Sequence, residues 1–392
     1  MRRNQSDPPY DPTRLIPARF HSESARQGVV SANERTVLQL VRRQPGIQRS
    51  ALTARMDLTQ QSIHRIVDGL TTRGLLCLGD PQPRTGRGQP SPTLYLNPDY
   101  AVCAGIAIDT DAITLSLLSF DGKVLSSDQL PNPGGAVDAA LALISDRLEQ
   151  RLGALSHGRD RLFGIGMAIP GFLEGGTTYN TPLPLIEWSR LELGPYLSAK
   201  LGCPVWTGNI SNAAAVCETM LGLGRHLGSF AYLSFDFGFG GAVVLDGELW
   251  RGAHGNAGEL SAMFDVDEMG TRPALEYLLT RLTANGVAVT SVRDLRERFD
   301  PAWPGVEDWI EATMPTLNRT VNSIYAILDP DAIVFGGHIP KRLAEDLISR
   351  VTLVRKPRHG RLMKTPRLLA SDLNLDAPGV GAAVMPFKAV FF

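Results

Sequence analysis

From Asn33 the chain passes from irregular to periodic, with Val37, Leu38 and Val41 on one face of a helix that the Pro45-Gly46 pair ends. A short second helix through Ala51, Leu52 and Met56, then a turn at Asp57-Leu58, leads to a third helix for which Thr59 supplies the N-cap hydroxyl. In that helix Ile63, Ile66, Val67 and Leu70 recur at i, i+3, i+4 and i+7, so one side packs inward. Gln60, Gln61, Ser62, His64 and Arg65 are left on the opposite side, and Arg73-Gly74 closes the helix with a left-handed cap. Two apolar runs, Leu75–Leu78 and Thr93–Leu96, flank a loop rich in Arg, Gly and Pro and predict a β-hairpin wing. Ahead of all this, residues 1–30 mix Pro8, Pro9, Pro12 and Pro17 with scattered Arg and Ser and show neither period, which predicts a flexible arm.

Beyond Asn97-Pro98 the texture changes to strands, glycine turns and helices in alternation. Ala104–Ser126 and Phe230–Trp250 echo each other: an apolar strand, a short loop, a second strand, then a hairpin turn at Asp121-Gly122 or Asp246-Gly247. Two related α/β lobes are implied. Helices are expected over Val137–Leu152, Arg190–Lys200, Asn212–Gly222, Arg272–Ala284, Val306–Leu328 and Lys341–Val351. Buried strands are expected over Phe163–Ile169, Val205–Thr207, Ala332–Phe335 and Arg367–Ala370.

Composition adds a division of labour. With 392 residues, 43% of them hydrophobic, the chain suits two or three domains. Residues 1–97 carry 14 Arg, no Lys and 7 acidic residues, a net of +7, whereas the remainder nets -8. A basic head on an acidic body is what a nucleic-acid module fused to a small-molecule module shows. Cys77, Cys103, Cys203 and Cys217 lie far apart, signalling neither disulfides nor zinc. No stretch approaches the roughly 20 apolar residues that span a bilayer. These features lead us to expect a soluble cytoplasmic protein, associated with the nucleoid and free of membrane contact.

A third helix with a dry inner face and a short polar outer face suits the major groove of double-stranded DNA, where Gln and Arg make paired hydrogen bonds to base edges. Gln60, Gln61, Ser62 and His64 are expected to read bases. Arg65, Arg49, Arg42, Arg43 and Arg73 are expected at phosphates, and Arg84 and Arg87 of the wing in the minor groove. Three-helix units also mediate protein contacts, and it is the combination of trio, Arg-Gly wing and basic head that favours DNA.

The ordered set comprising the winged helix, Ala104-Gly105-Ile106-Ala107-Ile108, Gly164–Pro170-Gly171, Asn209–Asn212, Phe235–Gly247, Gly258-Glu259 and Asp329–Gly337 resembles the ROK family of sugar-responsive repressors and sugar kinases. The resemblance implies an α/β chain: a mostly α winged helix-turn-helix followed by a two-lobed actin/hexokinase-like (RNase H-like) body. Its domains would be a flexible arm (1–30), the winged helix (31–98), lobe 1 (99–211 plus 378–392) and lobe 2 (212–377). It also implies a homodimer or homotetramer on a pseudo-palindromic operator, with a sugar or sugar-derived effector between the lobes.

The same resemblance implies what the body has lost. Ile210 stands where the family's kinases carry the general-base Asp, and a hydrocarbon cannot accept a proton. The first phosphate loop corresponds to Ala107-Ile108-Asp109-Thr110-Asp111 and the second to Asp236–Ala242, both acquiring acids that would repel a triphosphate. The family's zinc ligands correspond to Ala262, Asp267, Met269 and Ala274, too few donors for zinc. No catalytic residue, cofactor or metal is therefore expected. Asn209, Glu259 and Glu276 match positions that hold sugar hydroxyls, and His254 and His338 lie within reach of the same cleft. Two alternatives accompany this reading: a bifunctional sugar kinase with a DNA-binding head, and a regulator governed by a partner protein docking around Trp250, Trp303 and Trp309.

Overall fold

Ser31 and Glu34 open the first helix by satisfying each other's backbone. The Ser31 hydroxyl accepts from the Glu34 N–H at 3.3 Å, and the Glu34 carboxylate accepts from the Ser31 N–H at 2.7 Å. The structure, a computed structural model, describes residues 9–21, 29–80, 92–373 and 375–392. This capping box starts α1 (Ala32–Arg43), which is followed by β1 (Ile47–Gln48), α2 (Arg49–Thr53), α3 (Gln60–Thr72), β2 (Leu76–Gly79) and β3 (Thr93–Leu96). The strands order as β1-β3-β2, and Val37, Leu38, Val41, Leu52, Ile63, Val67 and Leu70 are fully enclosed beneath them. Gly74, at φ +76°, makes the left-handed exit from α3 that an L side chain resists. Arg84 and Arg87 lie outside the described residues.

The body holds two five-stranded sheets of one design. In the first, β4 (Val102–Ile108), β5 (Ala112–Ser119) and β6 (Val124–Pro131) form an antiparallel meander, and β7 (Leu162–Ile169) and β10 (Val205–Asn209) add in parallel on the other side of β4. Its order is β10-β7-β4-β5-β6. The crossovers that parallel pairing demands are α4 (Val137–Gly153) with α5 (Gly158–Arg161), then α6 (Leu193–Leu201) after the small hairpin of β8 (Phe172–Gly175) and β9 (Thr178–Asn180).

After α7 (Ile210–Leu221) the plan repeats. A meander of β11 (Phe230–Phe235), β12 (Phe239–Leu245) and β13 (Glu248–Trp250) is joined in parallel by β14 (Ala332–Gly337) and β15 (Arg367–Ala370), in the order β13-β12-β11-β14-β15. Its crossovers are α8 (Leu275–Ala284), α9 (Val292–Arg298) and α10 (Val306–Leu328), then α11 (Lys341–Arg350). The last helix, α12 (Ala377–Val390), returns to the first sheet. This doubled sheet is the actin-like α/β architecture.

Several sequence expectations need correction. The arm is not free throughout: residues 9–21 form two short 3-10 turns docked on the first lobe. The Tyr10 hydroxyl lies 2.5 Å from Ser198 Oγ, donates to Val205 O at 3.0 Å and accepts from Val205 N–H at 3.1 Å. Phe20, 4% exposed, packs edge-on to Phe163 with ring centroids 5.1 Å apart. Three scattered anchors (Tyr10, Ile16 and Phe20) leave no periodic signal, and the groove that receives them exists only once the lobe has folded. α8 starts at Leu275, because Pro273 disfavours helix in the residue before it. α7 starts at Ile210, directly behind its Asn209 cap. α9 and α12 are additions. Trp309 does not serve a docking surface, being wholly buried in the second lobe's core; Trp303 packs partly buried against that core, while Trp250 is 48% exposed.

Small residues let α12 lie almost on its neighbours. A Cβ on Gly166 would meet Ala382 O at 1.8 Å, and one on Gly381 would meet Ala213 O at 1.8 Å. At its far end Phe387 and Phe391 join Phe120, Phe163 and Tyr100 in an aromatic cluster that reaches the winged helix. There Arg35 of α1 donates to Val390 O at 2.8 Å, and the Arg42 guanidinium sits 5.5 Å from the Phe392 ring. Among the described residues no helix is long and apolar enough to cross a membrane.

Candidate DNA interface and interlobe cleft

The outer face of α3 starts at its cap. Thr59 Oγ1 accepts from the Ser62 N–H at 3.2 Å, which leaves Gln60, Gln61, His64 and Arg65 exposed and Ser62 half-buried in the first turns. Arg49, the first residue of α2, is bound to this helix: it donates to Asp68 Oδ1 at 2.7 Å and to His64 Nδ1 at 3.0 Å. A guanidinium can only donate, so Nδ1 is the acceptor and the neutral ring carries its hydrogen on Nε2. His64 is thus pre-oriented as a donor.

Three arginines expected at phosphates lie elsewhere. Arg73 is committed to Glu34 at 2.8 Å and to the Val29 carbonyl, closing the helical trio on itself. Arg42 and Arg43 face the body across a joint lined by Arg225, Glu248 and Lys388. Charge shows in a sequence; the face of α1 that meets the body does not.

Between the lobes lies a cleft of about 540 Å³ that brings together Asn209, Glu259 and Glu276. Asn209 ends β10 and caps α7, accepting from Ser211 N–H at 2.7 Å and Asn212 N–H at 3.3 Å while donating to Gly171 O at 2.9 Å. Its carbonyl oxygen is taken by the cap and one amide hydrogen by Gly171, so it fixes the cleft floor. Glu259 accepts from Ser261 Oγ at 2.6 Å, and Glu276 accepts from Arg272 at 2.8 Å. Both carboxylates retain lone pairs for hydroxyl donors. Phe172, Phe237 and Phe239 supply apolar faces. Ile210, 6% exposed, packs with Ala107, Ala168 and Ala213 and makes one wall hydrocarbon. Arg272 has a buried Nε without a hydrogen-bond partner and is a cleft residue that sequence reading missed.

Deeper in, the lobes meet through charges. His338 Nδ1 lies 2.7 Å from Asp236 Oδ1, and Nε2 lies 3.4 Å from Asp376 Oδ2, which also accepts from Thr114 Oγ1 at 2.8 Å. Burial of the ring works against its charged form, but the two carboxylates outweigh it and hold the His338 pKa well above the usual value. Asp109 behaves oppositely to an ordinary carboxylate. Burial, then Asp236 and Asp111, push its pKa up to about 7. Of this set the sequence flags Asp109, Asp236 and His338 but not their pairing, and misses Asp376, whose one local sign is an N-cap position with proline two places on. Neither histidine expected at the cleft lines it: His254 is exposed, and His338 lines the neighbouring interlobe cavity.

These residues do not suit a nucleotide triphosphate, since Asp109 and Asp236 would face its anionic oxygens and His338 is already held between carboxylates. Nor do Ala262, Asp267, Met269 and Ala274 suit zinc: Ala274 is fully buried in the apolar core and Met269 packs against it. Among the described residues no group of three or more His, Cys, Asp or Glu is placed to hold a metal ion. A second interlobe cavity of about 690 Å³ carries Arg296 and Lys341, yet Arg296 donates to the Leu373 and Leu375 carbonyls and Lys341 pairs with Asp372.

The chain is similar to known proteins in sequence and fold. The ROK family matches residues 103–271. The chain is 28% identical over 374 residues to the protein y4fQ of Sinorhizobium fredii, covering 93% of this chain and 92% of that one. It is 26% identical to the xylose repressor of Caldicellulosiruptor bescii, over 70% of each chain, and 28% identical to a glucokinase of Halalkalibacterium halodurans, over 60% of this chain and 80% of that one. A crystal structure of a ROK family transcriptional regulator, a homologue of the Escherichia coli MLC protein, superposes with a TM-score of 0.66 at 20% identity, over 92% of this chain and 96% of that one. With its doubled sheet, its interlobe cleft and these relatives, the chain carries a ROK family domain over residues 103–271.

Proposed function

We propose that this protein is a sequence-specific DNA-binding transcriptional repressor, controlled by a sugar or sugar derivative in the 540 Å³ cleft and devoid of kinase activity. The observation that carries the reading is α3: Ile63, Val67 and Leu70 are fully enclosed, while Gln60, Gln61, His64 and Arg65 stand exposed on a capped helix. The relatives named xylose repressor support it. A homodimer or homotetramer would present paired helices to a pseudo-palindromic operator. The glucokinase relative keeps the kinase reading in view, and the apolar Ile210 wall beside the crowded acids Asp109 and Asp236 argues against it.

Control requires that the effector bind one lobe arrangement more tightly than the other. A packing route exists for transmitting that difference. Asn209 at the cleft caps α7, α7 lies along α12, and the end of α12 is held by Arg35 and Arg42 of the DNA-binding head. Selection of bound fragments from genomic DNA, with and without candidate sugars, tests the regulator reading; absence of any enriched fragment overturns it. A coupled ATP assay across a sugar panel tests the lack of kinase activity, and clear turnover by the unmodified protein overturns that part.

A further inference from the structure

A cavity of about 360 Å³ lies at the joint between head and body, lined by Gln39, Arg42 and Arg43 of α1, Arg225 and His226 after α7, the β12–β13 turn, and Lys388 with Phe392. Arg42, Arg43, Arg225 and Lys388 face only two carboxylates there, Asp246 and Glu248, and Lys388 already takes Glu248 at 3.2 Å. Among the described residues no ion pair reaches Arg42, Arg43 or Arg225. Arg42 rests on the Phe392 ring and buries an Nε that has no hydrogen-bond partner. Three guanidiniums and the Lys388 ammonium thus converge on one hollow against two carboxylates, an excess of positive charge. Burial, and then Arg43 and Arg225, push the Arg42 pKa down to about 10, a sign of how poorly the cluster is compensated.

We propose that this joint is a binding site for a small phosphate-bearing anion, separate from the interlobe cleft. Guanidiniums bind phosphate oxygens through paired charge-assisted hydrogen bonds, and a phosphate here would neutralise Arg42, Arg43 and Arg225 together. The volume leaves room for a polar remainder, which Gln39 and Thr219 can meet. Bound there, the anion would fasten α1 to the turns around Arg225 and Gly247, fixing the stance of the head on the body. The site stands independently of the cleft ligand. A DNA backbone phosphate has the same chemistry, so the test separates the two sources.

The full-length protein is titrated with inorganic pyrophosphate by calorimetry and thermal shift, ionic strength being held constant with potassium chloride. Saturable binding with a rise of several degrees in melting temperature is expected. Arg225 is exposed, so R225Q keeps the fold; it should weaken binding at least tenfold, R43Q should do likewise, and E276Q in the cleft should leave it unchanged. No saturable binding beyond the chloride control, or equal binding by R225Q and R43Q, overturns the site. A loss of duplex DNA affinity in R225Q in phosphate-free buffer also overturns it, by assigning these arginines to the DNA backbone.

Discussion

His338 of the second lobe reaches Asp236 at 2.7 Å with Nδ1 and Asp376, the cap of α12, with Nε2 at 3.4 Å, and Asp376 in turn accepts from Thr114 of the first sheet, so the imidazole is tied to both lobes. Its side chain is 19% exposed, and both carboxylates favour its protonated form. The folded-state pKa lies above the unfolded 6.5. The stabilisation is therefore fully present below about pH 6.5 and is lost as pH rises through the folded value. Urea denaturation of the wild type and H338N between pH 5.5 and about 9 should show a gap that narrows with rising pH. A gap that widens would contradict the bridge.

Asp109 makes a second pH prediction with the same sign. In the folded protein it holds its proton to about pH 7, and unfolded it ionises near 3.8, so stability falls as pH climbs between those values. D109N should remove that slope and raise the melting temperature at pH 8 by about 2–4 °C, the size expected for roughly 1 kcal/mol.

On the DNA face, Q60A or Q61A should cost about 1–3 kcal/mol on a selected duplex and little on random competitor, because base-edge contacts carry the sequence preference. R65A should weaken both duplexes alike and flatten the salt dependence. Fluorescence anisotropy at two salt concentrations distinguishes these patterns.

The docked arm is testable through one hydroxyl. Y10F removes the contacts to Ser198 and Val205 and should cost about 1–2 kcal/mol in chemical denaturation, with faster proteolysis ahead of α1. A silent substitution would mean that the arm is free in solution.

I210D should destabilise the protein by about 3–5 kcal/mol, since it places a carboxylate among Ala107, Ala168 and Ala213 without a partner. It should not confer sugar phosphorylation, because Asp109 and Asp236 still crowd the phosphate side. Thermal melts and an ATP-coupled assay read the two outcomes.

Much of this fold was legible because its parts are local. The i, i+3, i+4, i+7 stripe of Ile63–Leu70, the Thr59 cap and the twin Asp-Gly turns each depend on neighbours in sequence. The cleft was partly legible: Asn209, Glu259 and Glu276 do line one hollow, but that Asn209 caps α7 and donates to Gly171 depends on a strand and a loop far apart in the chain. What escaped was decided by tertiary neighbours. Arg42 and Arg43 read as phosphate contacts until the body fixes which side of α1 they occupy, and Arg272 acquires meaning only opposite Glu276. Tyr10 and Phe20 are single anchors in a proline-rich stretch, which no periodicity can mark.

The doubled sheet has an electrical consequence besides its geometric one. β4 and β11 are counterparts, each the first strand of its meander, and each hands the chain to an aspartate: Asp109 after one, Asp236 after the other. The repeated plan thereby sets two carboxyl groups facing each other across the gap, and Asp109 answers by keeping its proton to about pH 7. The histidine that sits against Asp236 comes from one lobe alone, so a repeated architecture is balanced by an asymmetric part.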